Sequence, residues 1–215
     1  MSIKKNTLWT VLIFLIALNS PILLKKLNTS SVFIMNGTAF FYIVGAVALI
    51  FIYLKTDKKG TMSEKVVVPF RHIILISIAG VFISLLSQSL LNILEMVLTG
   101  QSLDSQNTKN IIRIVQQAPF FVFAVSIAGP IMEELVFRFS LTNFIGQKLP
   151  EIFAAVITSL LFAVMHGDGH WLVYGGLGFI FFLVYRKTHS IWSSILTHAG
   201  MNTVVVVMQL VLIKS

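Results

Sequence analysis

Apolar runs long enough to cross a bilayer recur along almost the whole chain, separated by short polar connections. A helix needs about 20 mostly apolar residues to cross about 30 Å of hydrocarbon, where each backbone N–H and C=O must find its partner inside the protein. Seven candidate spans follow, at 8–24, 32–54, 73–98, 119–140, 151–166, 171–186 and 191–213. The expected fold is all-α, a polytopic transmembrane bundle of about seven helices forming one integral membrane domain over residues 1–215. Charged residues make up 11% of the chain, against roughly 25% in a soluble domain, so no soluble domain is expected beside the bundle. The more polar connection at 99–113 suits an interfacial segment leading to Pro119.

The formal net charge of +8 would suit nucleic acid, but the basic residues cluster beside the apolar spans. That placement fits cytoplasmic loops facing anionic lipid, so the expected partner is the bilayer and not nucleic acid. With seven spans, the N-terminus shares a side with loops 55–72, 141–150 and 187–190. That side holds Lys4, Lys5, Lys55, Lys58, Lys59, Lys65, Arg71, Lys148, Arg186 and Lys187, and the other holds Lys25, Lys26, Lys109, Arg113 and Lys214. The excess places the N-terminus in the cytoplasm. Lys4 and Lys5 ahead of an apolar run resemble a signal peptide. No small-x-small cleavage site follows, and the first span is expected to stay in place. The expected location is a cell membrane, multi-pass, and the compactness of the chain suits a bacterial plasma membrane.

Ionisable residues inside such spans are costly and tend to have a task. Glu133, Glu134 and Arg138 fall within six residues of each other in an otherwise apolar stretch. Residues four apart share a helix face, and Glu before Arg is the favourable order, so Arg138 is expected to neutralise and orient Glu134 while Glu133 projects about 100° away. A carboxylate in a partly dry site suits a general base. A purely structural ion pair accounts for two of these charges and not for the third.

His166 closes the fifth span. If the fourth and fifth spans form a hairpin turning near Leu149 and Pro150, Glu133 and His166 lie at matched depths and can meet. His198 and Asn202, four apart in the last span with Gly200 between them, share a face and could cradle a water or stabilise an oxyanion. Glu95 and Asn92 follow Ser84, Ser87, Gln88 and Ser89 in a polar stripe of the third span, which either lines the cavity or packs internally, with packing the favoured reading. Gly175, Gly176 and Gly178 permit close helix contact. His72, His170 and His189 are read as interfacial, and Trp9, Trp171 and Trp192 as interface anchors.

Three motifs now stand in order on separate spans: Glu-Glu-x-x-x-Arg at Glu133, Glu134 and Arg138, Phe-x-x-x-His at Phe162 and His166, and His-x-x-x-Asn at His198 and Asn202. With the Gly129-Pro130 lead-in and the Phe137-Arg138 pair, the set resembles the CAAX-protease and bacteriocin-processing (CPBP, or Abi) family of intramembrane proteases. The resemblance covers about residues 115–210, leaving 1–114 as accessory spans. It implies a helical bundle around a polar intramembrane cavity and an endopeptidase acting on a peptide or membrane-associated protein. Glu133 would be the base activating water and His166 its partner. His198 and Asn202 would stabilise the oxyanion, and Glu134 and Arg138 would be structural or orienting. Members of the family also serve as non-catalytic membrane partners, such as bacteriocin self-immunity factors or sensor-kinase regulators, and that class is the alternative function.

Rival chemistries find less support. No cysteine is present, which excludes a thiolate nucleophile and a Cys-based metal site. No His-Glu-x-x-His or Gly-x-Ser-x-Gly occurs, and Ser193-Ser194 is read as small-residue packing. Asp168 has no second membrane aspartate with which to form a dyad. Glu133, His166 and His198 match the ligand set of some zinc sites, but the same groups serve a glutamate-activated water. The cofactor is therefore open between none and a divalent metal such as zinc.

Overall fold

The computed structural model describes residues 1–64, 68–100, 102–103 and 105–212, and within them every regular element is helical. Lys65 and Lys214 of the charge argument lie outside the described residues, as do Gln101 and Asp104 of the polar connection and Ile213 at the end of the last expected span. The elements are α1 (Ile3–Leu18), α2 (Ser20–Lys25), α3 (Ser31–Leu54), α4 (Phe70–Thr99), α5 (Gln106–Gln117), α6 (residues 121–145), α7 (Glu151–His166), α8 (Trp171–Thr188) and α9 (Ile191–Leu212). The fold is an all-α membrane helix bundle. Its outer surface is apolar, with Leu8, Phe82, Leu86 and Phe153 more than 60% exposed, while Asn6, Ser84, Glu134, Arg138 and Thr197 are buried inside.

Among the described residues three helices, α3, α4 and α9, are long and apolar enough to cross a membrane on length and composition alone. The other expected spans differ from the sequence reading for identifiable reasons. The first starts earlier, at Ile3, and breaks at Asn19, whose amide donates to Leu15 O at 2.8 Å just ahead of Pro21 in the first turn of α2. Helix α7 has 16 residues, about 24 Å of rise. Connection 99–113 is mostly helix: α5 is amphipathic and turns Ile112 and Val115 inward.

Helix α6 is not uniform. Its turns widen to the i→i+5 pattern over Ala124–Ala128 and again over Glu134–Leu141. The first wide segment leads into Gly129-Pro130, where proline supplies no N–H and its ring would crowd the carbonyl four residues back. In the second, Thr142 Oγ1 donates to Phe137 O at 2.7 Å and so satisfies a carbonyl five residues earlier. Wide turns inside α-helices are frequent at functional sites.

Polar contacts from α1 hold this segment. Ser140 Oγ donates to Asn6 Oδ1 at 2.6 Å, Thr7 Oγ1 lies 3.2 Å from Ser140 O, and Asn6 Nδ2 donates to Thr56 Oγ1 at 2.9 Å. On the far side, Gly178 lets α8 approach: a Cβ there would lie 2.9 Å from Arg138 Nη2 and 3.2 Å from Ser159 Cα. Gly175 faces open space, so the expected glycine contact is made at Gly176 and Gly178 and not along the whole run. Two of the polar residues also sit differently from expectation. His170, read as interfacial, is 4% exposed, because Glu95 reaches it with Oε2 at 3.0 Å from Nδ1 and accepts the Leu172 N–H at 2.7 Å. The Glu95 carboxylate thereby caps the start of α8 as well as packing inside the bundle.

Candidate active site

Glu134 and Arg138 are sealed in the bundle, at 0% and 1% exposure, with Oε1 of Glu134 3.4 Å from Arg138 Nη1. The guanidinium lies over the Phe162 ring at 4.2 Å and donates through Nε to Gly178 O at 3.3 Å. The Phe181 ring is also near, its centroid 5.4 Å from Arg138 Cζ. An arginine in apolar surroundings needs both a counter-ion and aromatic faces to be tolerated, and here it has both.

The Glu134 carboxylate does more than balance charge. Its Oε1 lies 2.9 Å from His198 Nδ1, and its Oε2 accepts the Ser194 hydroxyl. A carboxylate only accepts, so His198 carries its proton on Nδ1 and keeps Nε2 as its exchangeable nitrogen. That Nε2 is 3.7 Å from Glu133 Oε2, beyond hydrogen-bond length. His198 is held between the two adjacent carboxylates, and its ring stacks on Phe181 at 4.4 Å and 19°. Glu133 remains 17% exposed and has hydrogen-bonding capacity to spare.

His166 ends α7, its Nδ1 2.8 Å from Phe162 O and its ring stacked on Tyr174 at 3.8 Å and 20°. A carbonyl also only accepts, so Nδ1 bears the proton and Nε2 is the nitrogen available for chemistry. Among the described residues no hydrogen bond joins His166 to Glu133; the direct neighbour of Glu133 is His198. Asn202 Nδ2 donates to Val125 O at 3.2 Å, in the first wide segment of α6. His166, His198 and Asn202 all border one cavity of about 80 Å³, together with Phe162, Tyr174 and Gln88. Neither glutamate borders it: Glu133 stands next to the cavity through His198, and Glu134 lies deeper. Among the described residues no group of three or more His, Asp or Glu side chains is arranged to hold a metal ion.

Three contributors escaped the sequence reading. Ser194, which the sequence suggests is small-residue packing, is fully buried and donates to Glu134; its spacing of four from His198 is a usable signal. Tyr174 stacks on His166 across the α7–α8 turn. Asp168, in that turn, accepts from Ser105 Oγ at 2.7 Å and Tyr174 OH at 3.1 Å, and lies 3.4 Å from Asn107 N and 3.3 Å from His170 N. Partial burial alone would raise its pKa, but the hydrogen bonds from Ser105, His170, Asn107 and Tyr174 outweigh it and hold the carboxyl below the usual aspartate value. Asp168 thus ties the start of α5 to the His166 side of the cavity.

Residues 115–204 match the family described as type II CAAX prenyl endopeptidase Rce1-like. YdiL of Bacillus subtilis (strain 168), provisionally named a membrane peptidase, is 35% identical over 168 residues, covering 78% of this chain and 69% of YdiL. The membrane-embedded CAAX protease MroQ of Staphylococcus aureus (strain USA300) is 31% identical over 219 aligned positions, covering 95% of this chain and 89% of MroQ. No solved structure matches the chain.

Proposed function

This chain belongs to the Rce1-like family of type II CAAX prenyl endopeptidases, and from that premise we propose that it is a multi-pass intramembrane endopeptidase of a bacterial plasma membrane. Its substrate is a peptide or the tail of a membrane-associated protein, and hydrolysis uses water activated by a glutamate. The observation that carries this reading is the contrast between adjacent carboxylates. Glu134 has both oxygens engaged in a sealed pocket, while Glu133 is partly exposed and has capacity left beside a histidine that borders the cavity.

In the proposed reaction Glu133 removes a proton from water as it attacks the scissile carbonyl, a role for which a catalytic contact longer in the resting enzyme is no obstacle. The Asn202 amide stabilises the developing oxyanion, joined by His198 once its Nε2 has taken up the proton that Glu133 removed from water, with His198 fixed in orientation by Glu134. His166 Nε2 orients the water or passes a proton to the leaving amine. Arg138 and Ser194 act through Glu134 and touch no substrate.

The test is hydrolysis by the reconstituted full chain, alongside complementation in the native host at matched membrane levels. Glu133→Gln and His166→Ala are expected to lose activity by about 10²–10⁴-fold while unfolding at the wild-type temperature. Full complementation by both variants would sink the enzyme reading and leave a non-catalytic partner role.

A further inference from the structure

A groove of about 550 Å³ runs between the second half of α4 and the end of α9, closed at one side by the start of α5. It shares Gln88, Thr108 and Val205 with the cavity that holds His166 and His198, so the two spaces adjoin. Its wall carries three carboxamides, Gln88 and Asn92 on α4 and Gln209 on α9. None has a hydrogen-bond partner among the described residues. The neighbours of the α4 amides are the opposite in character: Leu86, Leu90, Ile93 and Leu94 are 46–63% exposed and apolar. Unpartnered amides on such a surface are costly in a membrane, which makes them markers of a polar ligand path.

Resting on the membrane-peptidase reading, we infer that this groove is the substrate subsite: it binds an extended, unwound peptide segment through its main chain, with Gln88 and Asn92 pairing the backbone amides. Four residues of α4 rise about 6 Å between Gln88 and Asn92, close to the roughly 6.6 Å repeat of every second residue in an extended strand. Both carboxamides offer a donor and an acceptor, which suits the alternating N–H and C=O of one strand edge. A helical substrate would not need them, because its backbone groups are already paired within the helix. An extended one has to be satisfied by the protein, and it is also the conformation that exposes a scissile carbonyl to the adjoining cavity. Recognition of this kind reads backbone at the groove, so the substrate class is an unwound apolar peptide segment.

The probe is a fluorescein-labelled apolar decapeptide, compared with its counterpart N-methylated along the backbone, with binding read by anisotropy on the full chain in lipid nanodiscs. The inference expects the parent peptide to bind wild type and Glu133→Gln alike, since Glu133 is outside the groove. Gln88→Leu and Asn92→Leu each weaken binding about five-fold, and N-methylation weakens binding to wild type at least as much. N-methylation adds little further loss to the Gln88→Leu, Asn92→Leu double variant. Equal binding of the two peptides to wild type overturns the inference without recourse to any variant. Unchanged affinity in the folded leucine variants overturns it too, as does no binding of the parent peptide by wild type. A change of oligomeric state in those variants with peptide affinity intact also overturns it, and assigns the amides to contact between copies. Hydrolysis is scored separately: binding through the groove with no cleavage by wild type rejects the peptidase reading, and cleavage without groove dependence rejects only the subsite.

Discussion

The deep side of the site and its cavity side use the same residue types to opposite ends. On the deep side, Glu134 spends both oxygens on Arg138, His198 and Ser194, and exposure is nil. On the cavity side, Glu133, His166 and Asn202 are only partly buried, and Glu133 and His166 keep atoms without a protein partner. One region fixes geometry and the other retains valence for a ligand. Adjacent glutamates therefore differ because of what surrounds them: the second run of widened turns in α6 begins at Glu134, whose side chain lies in a dry pocket against α8 and α9.

This division can be broken first at its most buried point. Glu134→Ala leaves Arg138 charged and unpaired in an apolar pocket, and should lower unfolding free energy by about 3–5 kcal/mol. Replacing both, with Glu134→Leu and Arg138→Met, should recover most of that stability in thermal unfolding and still show no hydrolysis. A fully active double variant would mean that the deep side does not orient His198. On the cavity side the effect should be catalytic: Asn202→Ala is expected to lower kcat by about 10²-fold or more with little change in unfolding temperature. Equal losses of stability and activity there would make Asn202 architecture.

The smallest effect concerns the α5 tether. Because the folded-state pKa of Asp168 is depressed, its contribution to stability is complete above the ordinary aspartate value and lost as pH falls through the lower folded one. Lowering the pH from 7 to 3 should therefore reduce the protection of amides at the start of α5, around 105–108, once exchange is corrected for its intrinsic pH dependence. Asp168→Asn should show elevated exchange at pH 7 with no further acid response. An identical acid response in the variant would assign the loosening to another group.

Much of this arrangement was legible in the chain before its structure. Spacing of four pointed to the contact of Glu134 with Arg138, and to His198 and Asn202 on one cavity wall, because helical periodicity translates spacing into direction. Other features left no such mark. The widened turns at 124–128 and 134–141 change the phase of α6 without changing its composition, so a uniform helix could not show that Glu133 would meet His198 instead of hydrogen-bonding to His166. The Tyr174 stack depends on the sharp α7–α8 turn, where Gly167 takes φ +67°. The role of Asp168 is not legible locally, because its partners Ser105 and Asn107 come from the start of a helix some sixty residues earlier. The break at Asn19 was within reach, since Pro21 announces it.

Helix α7 carries one more consequence. At 16 residues its rise of about 24 Å falls short of a hydrocarbon slab of about 30 Å, and His166 sits at its end. Thinning the bilayer locally is one way to relieve such hydrophobic mismatch, and it would bring the aqueous phase closer to the site of the proposed hydrolysis. If the chain hydrolyses peptides as proposed, the membrane is a component of that reaction: hydrolysis should fall as vesicles are made from longer acyl chains, and a rate indifferent to chain length would show that water arrives by another route.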